Sequence, residues 1–441
     1  MSHITTIMKK EIREMLSPGS VASILIMVVL FAGMGGLIGG EVEKAAALPE
    51  FGYIGEKEYG YDGTTTPWTP YKFLTDTYGD EAGKITYLGN GSDDIAKMMQ
   101  ERGISSVIAL PSEEEFRSLM SEGKQITVLQ YYIYEPTGMF GSVSSTVMTS
   151  IVSLLNSNLS AKLISEGGYT DVSFITSPLV SGDSATSTIV NGEAHSGVTP
   201  YQIANAVSSQ TMMIPLVIMI IITMIGSIVI SSMGTEKENK TLETLLTLPI
   251  KRTSIVTGKI LAAAIVGLIY GLAYMAGMSI YMGAMTGMVA ESGSVDLASI
   301  GMSLDLADWA LVMLSMFLAI VCALGICMIL GAFSKNYKSA QTMTMPLSIL
   351  AIIPMFVIMF TGWYGCGSIL QGICFAIPFS HPMMAMQALM NGDSVLVLAG
   401  IAYMAVFAVS TILITVKVYN SDILITGLGQ NKWVQKMSRR R

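Results

Sequence analysis

Six apolar runs constrain this chain more than any other feature. They lie at 20–40, 211–233, 260–286, 309–333, 342–362 and 395–418. An α-helix needs roughly 20 apolar residues to cross a hydrocarbon core, and each run has about that length. Only 13% of the 441 residues are charged, against about 25% in a typical soluble domain. The expectation is an α-helical polytopic membrane protein with six transmembrane helices. A polar block at 41–205 separates the first run from the second, predicting a large extracytoplasmic domain inserted between helices 1 and 2.

Basic residues give the orientation. Lys9, Lys10 and Arg13 precede the first run, Lys237 to Lys259 follow the second, Lys335 and Lys338 lie between the fourth and fifth, and the chain ends in Arg439, Arg440 and Arg441. The stretches 287–308 and 363–394 contain neither Lys nor Arg. Short basic loops stay inside, so both termini are expected in the cytoplasm of a multi-pass cell-membrane protein. The block 41–205 then lies outside, with 21 acidic and 9 basic residues, a net −12 against +5 for the rest. The first run (19–40 with its flanks) exceeds the 7–15 apolar residues of a signal peptide and reads as an uncleaved anchor. Residues 1–18 read as an amphipathic elbow helix, with Ile4, Ile7, Met8, Ile12, Met15 and Leu16 on one face, lying against membrane lipid.

Within 41–205, strand-like segments at 51–55, 84–89, 105–111 and 126–134 alternate with helix-like ones at 92–103 and 112–123, each opening on Ser and closing on Gly. This argues an α/β domain. A longer helix at 141–166 carries Val143, Val147, Ile151, Leu154, Leu155, Leu159 and Leu163 in one stripe, which either packs on the sheet or meets a partner subunit. Asn90 and Asn158 each open an N-x-Ser sequon.

No catalytic constellation is present. The three histidines, His3, His195 and His381, form no H-E-x-x-H, and no G-x-x-x-x-G-K-[ST] occurs. The spans carry almost no ionisable groups, which argues against a proton- or ion-coupled carrier. Ser227, Ser231, Ser232, Thr223, Thr342, Thr344 and Ser348 either line a polar path or bond their own helix backbone one turn away. Cys366 and Cys374 either pair or act as small buried apolar residues. Met275, Met278, Met282 and Met285 pack as adaptable apolar side chains, the alternative being thioether ligands for Cu(I). At 363–394, Pro378 and Pro382 interrupt any helix. Short helices are expected there, as an outer loop or as part of an exit gate with Pro378, His381 and Pro382.

The longest charged interval in the second half of the chain is 234–259. Glu236, Glu238 and Glu243 come early, Leu242, Leu245, Leu246 and Leu248 give an apolar face, and Pro249 precedes Lys251 and Arg252. A surface helix at 234–258 is expected, docked in a partner's groove or packed on its own spans. Gly258 and Lys259 lead back into the membrane.

This pattern resembles the signature of type-2 ABC exporter permeases. In that family an acidic pair is followed by T-x-E-x-L-L-x-x-P, a basic turn, then G-K. The matching positions are Glu236, Glu238, Thr241, Glu243, Leu245, Leu246, Pro249, Arg252, Gly258 and Lys259. The segments KKEIREML at 9–16 and IPFSHPM at 377–383 are similar to the family's elbow helix and Pro-rich segment. The layout looks most like the sodium-exporter, NatB-type branch. The resemblance implies a permease half-transporter without a cofactor of its own. Its expected partners are a second permease subunit (an identical copy or a paralogue) and a cytosolic ABC ATPase subunit that binds ATP and Mg, with no nucleic acid. The ten matching residues would couple to that ATPase. The substrate does not follow. A reading from another class is a membrane-anchored receptor or scaffold whose outer domain binds a ligand or an envelope partner.

Overall fold

The computed structural model describes residues 47–58, 60–62, 66–90, 94–136, 138, 141–167, 171–241, 295–334 and 336–420, with isolated helical positions at 25–43 and 254–277. Two compact units emerge. One comprises Gly40–Ser208 and Gly287–Ser303, the other Met1–Gly39, Ser209–Thr286 and Leu304–Arg441.

The first unit is α/β. Its chain runs β1 (Phe51–Ile54), α1 (Pro70–Tyr78), β2 (Ile85–Tyr87), α2 (Ile95–Arg102), β3 (Ser106–Ala109), α3 (Glu113–Glu122), β4 (Ile126–Thr127) and β5 (Leu129–Ile133). There follow α4 (Gly141–Glu166), α5 (Val172–Thr176), β6 (Leu179–Val180), β7 (Thr186–Val190), β8 (Glu193–Ser196) and α6 (Pro200–Thr211). Six strands form one sheet in the order β2-β1-β3-β5-β7-β8, and β4 pairs with β6 in a separate parallel ribbon. Strands β1, β2 and β3 are mutually parallel, whereas β3–β5 and β7–β8 are antiparallel. All four residues of β1 and of β3 are buried, as expected of parallel strands covered on both faces.

Alternation along these strands sorts the core into two layers. Phe51, Tyr53 and Ile108 face one side, where Phe116 of α3 and Ile151, Leu155, Leu159 and Leu163 of α4 meet them. Ile54, Val107 and Ala109 face the other, against Met99 of α2. The α4 stripe therefore packs into its own unit's core. Asn158 on that helix accepts a 2.9 Å hydrogen bond from the Trp68 indole, so the second sequon asparagine is held in a packing contact. Burial raises the pKa of the Tyr53 and Tyr61 phenols well above the ordinary value. Both stay protonated, and the Tyr61 hydroxyl donates to the Pro111 carbonyl at 3.1 Å.

Helix ends follow the local rules. Asp94 caps α2 by accepting from the Lys97 amide, and Ser112 caps α3 by accepting from the Glu115 amide. The apolar run 126–134 divides into β4 and β5, which belong to different sheets. The β7–β8 hairpin was not foreseen. It turns at Asn191 (φ 51°) and Gly192 (φ 89°), the Asn-Gly pair that two-residue hairpins favour. Residues 295–303, read from the sequence only as a loop free of Lys and Arg, group with this unit, and Leu297, Ile300 and Met302 are buried there.

The second unit contains α7 (Met213–Glu238), α8 (Leu306–Phe333), α9 (Tyr337–Thr342), α10 (Thr344–Thr361), α11 (Ser368–Ala376), α12 (Ser380–Met390) and α13 (Ser394–Asn420). The expectation of six transmembrane helices is corrected here. Among the described residues, four helical stretches are long and apolar enough to cross a membrane: Pro200–Glu238, Leu306–Phe333, Tyr337–Thr361 and Ser394–Val418. A crossing needs roughly 20 apolar residues in helical form, and these four stretches are where such a length is described. At 19–40 and 260–286 only isolated helical positions are described.

Helix α8 lies against α7, α12 and α13. Small residues make this possible. A Cβ on Gly325 would sit 2.4 Å from Thr411 Oγ1, and Thr415 Oγ1 donates to the Gly325 carbonyl at 3.3 Å. Close approach through small residues is how helices associate where lipid removes the hydrophobic drive between them.

Leu159→Ala is expected to destabilise the α/β unit by about 2–5 kcal/mol. Heating the purified chain and following protease cleavage within 70–196 should show an earlier midpoint. Ser157→Ala, exposed on the same helix, should stay within about 0.5 kcal/mol of the parent.

Candidate functional site

The 234–259 motif begins inside α7. Glu236 and Glu238 occupy the last turn of that helix. Lys240, with φ 57°, leaves the helical conformation. Thr241 Oγ1 donates back to the Glu236 carbonyl at 3.0 Å, and Ser232 Oγ donates to the Glu236 carboxylate at 3.3 Å. Gly258 is helical, and a Cβ there would meet nothing within 4 Å. Glu243, Leu245, Leu246, Pro249, Arg252 and Lys259 lie outside the described residues, as do residues 1–18 and the methionines at 275, 278, 282 and 285.

An acid at a helix C-terminus faces the negative end of the helix dipole, so Glu236 and Glu238 need compensation. Between them, the half-buried Lys237 donates from Nζ to the Ala332 carbonyl and, at 2.9 Å, to the Ser334 carbonyl. These oxygens belong to the end of α8, where the last four carbonyls have no partner within the helix. Glu238 Oε2 accepts from the Tyr337 amide at 3.1 Å, at the start of α9. Asn336 caps that helix by accepting from the Ser339 amide at 2.9 Å. The chain packs closely here: a Cβ on Gly234 would lie 2.6 Å from Ala340 Cβ and 2.9 Å from the Asn336 carbonyl. In the sequence Lys237 counts only toward the orientation, not toward the site. Its signal was a cation in a helix's last turn, flanked by two acids.

The 363–394 segment forms two helices, α11 and α12. Pro382 does not interrupt a helix, contrary to expectation. It is the third residue of α12, in the first turn, where its missing N–H has no intrahelical partner to lose. Pro378 lies in the short link between α11 and α12. Every residue of α12 is buried, and the helix packs against α7, α8, α10 and α13. His381 is 3% exposed. Its Nε2 lies 3.1 Å from the Phe375 carbonyl, and its ring meets those of Phe375 at 4.8 Å and Tyr403 at 5.2 Å. Gly400 faces His381, and a Cβ there would lie 2.6 Å from Nδ1. Tyr364 donates to Asp393 at 2.8 Å, tying one end of the segment to the other. The structure thus brings Pro378, His381 and Pro382 into one packed region and places Glu236 and Glu238 in the last turn of α7.

Four of the seven hydroxyls proposed for a polar path bond backbone carbonyls three or four residues before them. Thr223 donates to Met219, Thr342 to Ser339, Thr344 to Gln341 and Ser348 to Thr344. All four cysteines are buried thiols, and no disulfide joins Cys366 to Cys374. Among the described residues, no group of three or more His, Cys, Asp and Glu could hold a metal ion.

Compared with known families, residues 18–417 match the profile described as ABC-2 family transporter protein. The chain belongs to that family. No curated protein matches. The crystal structure of a domain assigned to an ABC type-2 transporter from Thermotoga maritima MSB8 aligns at 16% identity, covering 35% of this chain and 95% of that one with a TM-score of 0.27, a likeness too distant to bear on function. As an ABC-2 family membrane transporter, the chain combines long apolar helices with an α/β unit.

Gly400→Ala is expected to press on the His381 ring and destabilise the packing of α12 on α13 by about 1–3 kcal/mol. Gly372→Ala on α11, where a Cβ meets nothing within 4 Å, supplies the matched control. Thermal unfolding of both variants in detergent should separate them, with only the first shifted downward.

Proposed function

We propose that this ABC-2 family member is the membrane-spanning permease subunit of an ATP-driven exporter. It moves its substrate (an ion, a drug-like or a lipid-like molecule) outward by alternating access. The observation that carries this reading is the segment 236–259, with its acidic start, T-L-E-T-L-L core, Pro249 and basic turn. A membrane receptor has no need of such a segment between two apolar runs. The chain also contains no G-x-x-x-x-G-K-[ST], so nucleotide and Mg would be bound by a separate cytosolic ABC ATPase subunit. A second permease subunit, identical or paralogous, would complete the transporter.

In this reading Glu236, Glu238, Thr241, Glu243, Leu245, Leu246, Pro249, Arg252, Gly258 and Lys259 form the ATPase-coupling element, and both termini are cytoplasmic. Closure of the ATPase pair pushes on this element and shifts the helices between two packed states. The region of Pro378, His381 and Pro382 is the exit gate. The buried α12, with Pro382 in its first turn, supports that role, because non-spanning backbone at membrane depth is tolerated where protein surrounds it. The layout favours the NatB-type branch, although the paucity of acids in the apolar runs gives sodium no special claim.

Purification of the chain from native membranes in mild detergent should bring with it a near-stoichiometric protein carrying a P-loop, identified by mass spectrometry. Recovery of the chain alone, with no response to ATP, would favour a receptor or scaffold. In the intact complex, Glu243→Ala with Leu245→Ala should leave membrane insertion unchanged and lower the partner's ATPase activity about tenfold, the effect of losing roughly 1.4 kcal/mol of coupling. Unchanged ATPase activity in this double variant would remove the coupling assignment.

A further inference from the structure

Two consecutive residues of opposite charge leave the last turn of α7 and reach the two helix ends that flank a single turn. Lys237 Nζ donates to the carbonyls of Ala332 and Ser334 at the end of α8. Glu238 Oε2 accepts from the Tyr337 amide, at the start of the helical stretch Tyr337–Thr361. The cation therefore meets unpaired carbonyls and the carboxylate meets an unpaired N–H, each satisfying a group its own helix leaves open. Behind them Gly234 brings the α7 backbone against Asn336 and Ala340, with no space for a side chain. The order Lys-Glu is the one this turn requires. Reversing it would set a carboxylate against the α8 carbonyls and an ammonium against the Tyr337 N–H.

Charges near a coupling element invite the reading that they contact the ATPase. Lys237 is poorly placed for that, since it is half-buried and both of these hydrogen bonds lie within the chain. We infer that Lys237 and Glu238 are positioning residues that clamp the end of α8 and the start of α9 to the end of α7. A displacement delivered at the segment beyond Glu238 is thereby carried to α8 and α10 together, rather than absorbed by bending the end of α7. This inference deepens the exporter reading and rests on it.

The test uses the intact complex in lipid nanodiscs, followed by hydrogen exchange at rest and after trapping with ATP and vanadate. In the parent, trapping should change exchange both in 239–259 and in 334–343. In Lys237→Met the change should persist in 239–259 and vanish in 334–343, while the ATPase subunit still co-purifies. Resting exchange at the Tyr337 and Ser339 amides should rise about tenfold. Lys237→Arg, which keeps a charged donor, should restore the parent pattern. A 334–343 response in Lys237→Met equal to the parent's would overturn the clamp. If Lys237→Met fails to reach the membrane, Glu238→Ala opens the same turn from its other side and is judged by the same readout. If no ATPase accompanies the parent, or trapping alters neither stretch in it, the exporter reading fails. The clamp is then decided by resting exchange alone, and an unchanged rate in Lys237→Met overturns it.

Discussion

An α-helix that ends inside a protein leaves four carbonyls without partners, and in a membrane protein water is not always there to take them. The end of α8 shows how this chain answers that demand. Ser334 folds its hydroxyl back to the Gly331 carbonyl at 2.7 Å, and Lys237 arrives from another helix to take the carbonyls of Ala332 and Ser334. The register of α7 against α8 follows from this meeting. Close contact between the two backbones is then permitted by Gly331, where a Cβ would lie 3.1 Å from Met233. Further along α8, Cys322 and Gly325 meet α13 through the Met404 carbonyl and Thr411. The packing of this unit is thus organised around a helix whose small residues invite neighbours and whose end requires one.

The α/β unit solves a different problem. Its strands β1 and β3 are buried on both faces, so both layers must be supplied by the helices between them. The aromatic side chains Tyr61, Trp68 and Phe116 fill the space beyond β1, with Tyr61 and Phe116 centroids 4.4 Å apart. Their polar atoms are spent locally, on Pro111 for Tyr61 and Asn158 for Trp68. This satisfies the rule that a buried polar group needs a partner.

Much of this architecture was legible where a single local rule decides. The strands at β1, β2 and β3, the caps at Ser112 and Gly123, and the extent of α4 follow from periodicity and capping chemistry alone. Reading failed where two rules compete or where partners are distant in sequence. The run ITVLQYYIY looked like one strand because apolar content says nothing about which neighbour each half will choose. The β7–β8 hairpin was legible in Asn191-Gly192 and was overlooked because Thr186–Val190 alternates only weakly. Pro382 was read as a breaker, although proline is tolerated in a helix's first turn. Apolar length led to an expectation of six spans, whereas four stretches among the described residues are long and apolar enough to cross a membrane. The role of Lys237 depends on two carbonyls more than ninety residues away, which no local pattern contains.

One consequence concerns the order of synthesis. Domains tend to fold as they leave the ribosome, from the N-terminal side onward. The α/β unit is not a contiguous cassette, since residues 295–303, with Leu297, Ile300 and Met302 buried, are made only after α7. Its sheet is fully translated by Ser196, yet its last buried side chains wait for another hundred residues, including an entire apolar helix. Completion of the water-facing fold is therefore subordinate to the membrane-insertion schedule, and a nascent chain halted before residue 295 would expose an unfinished surface to whatever quality control patrols that compartment.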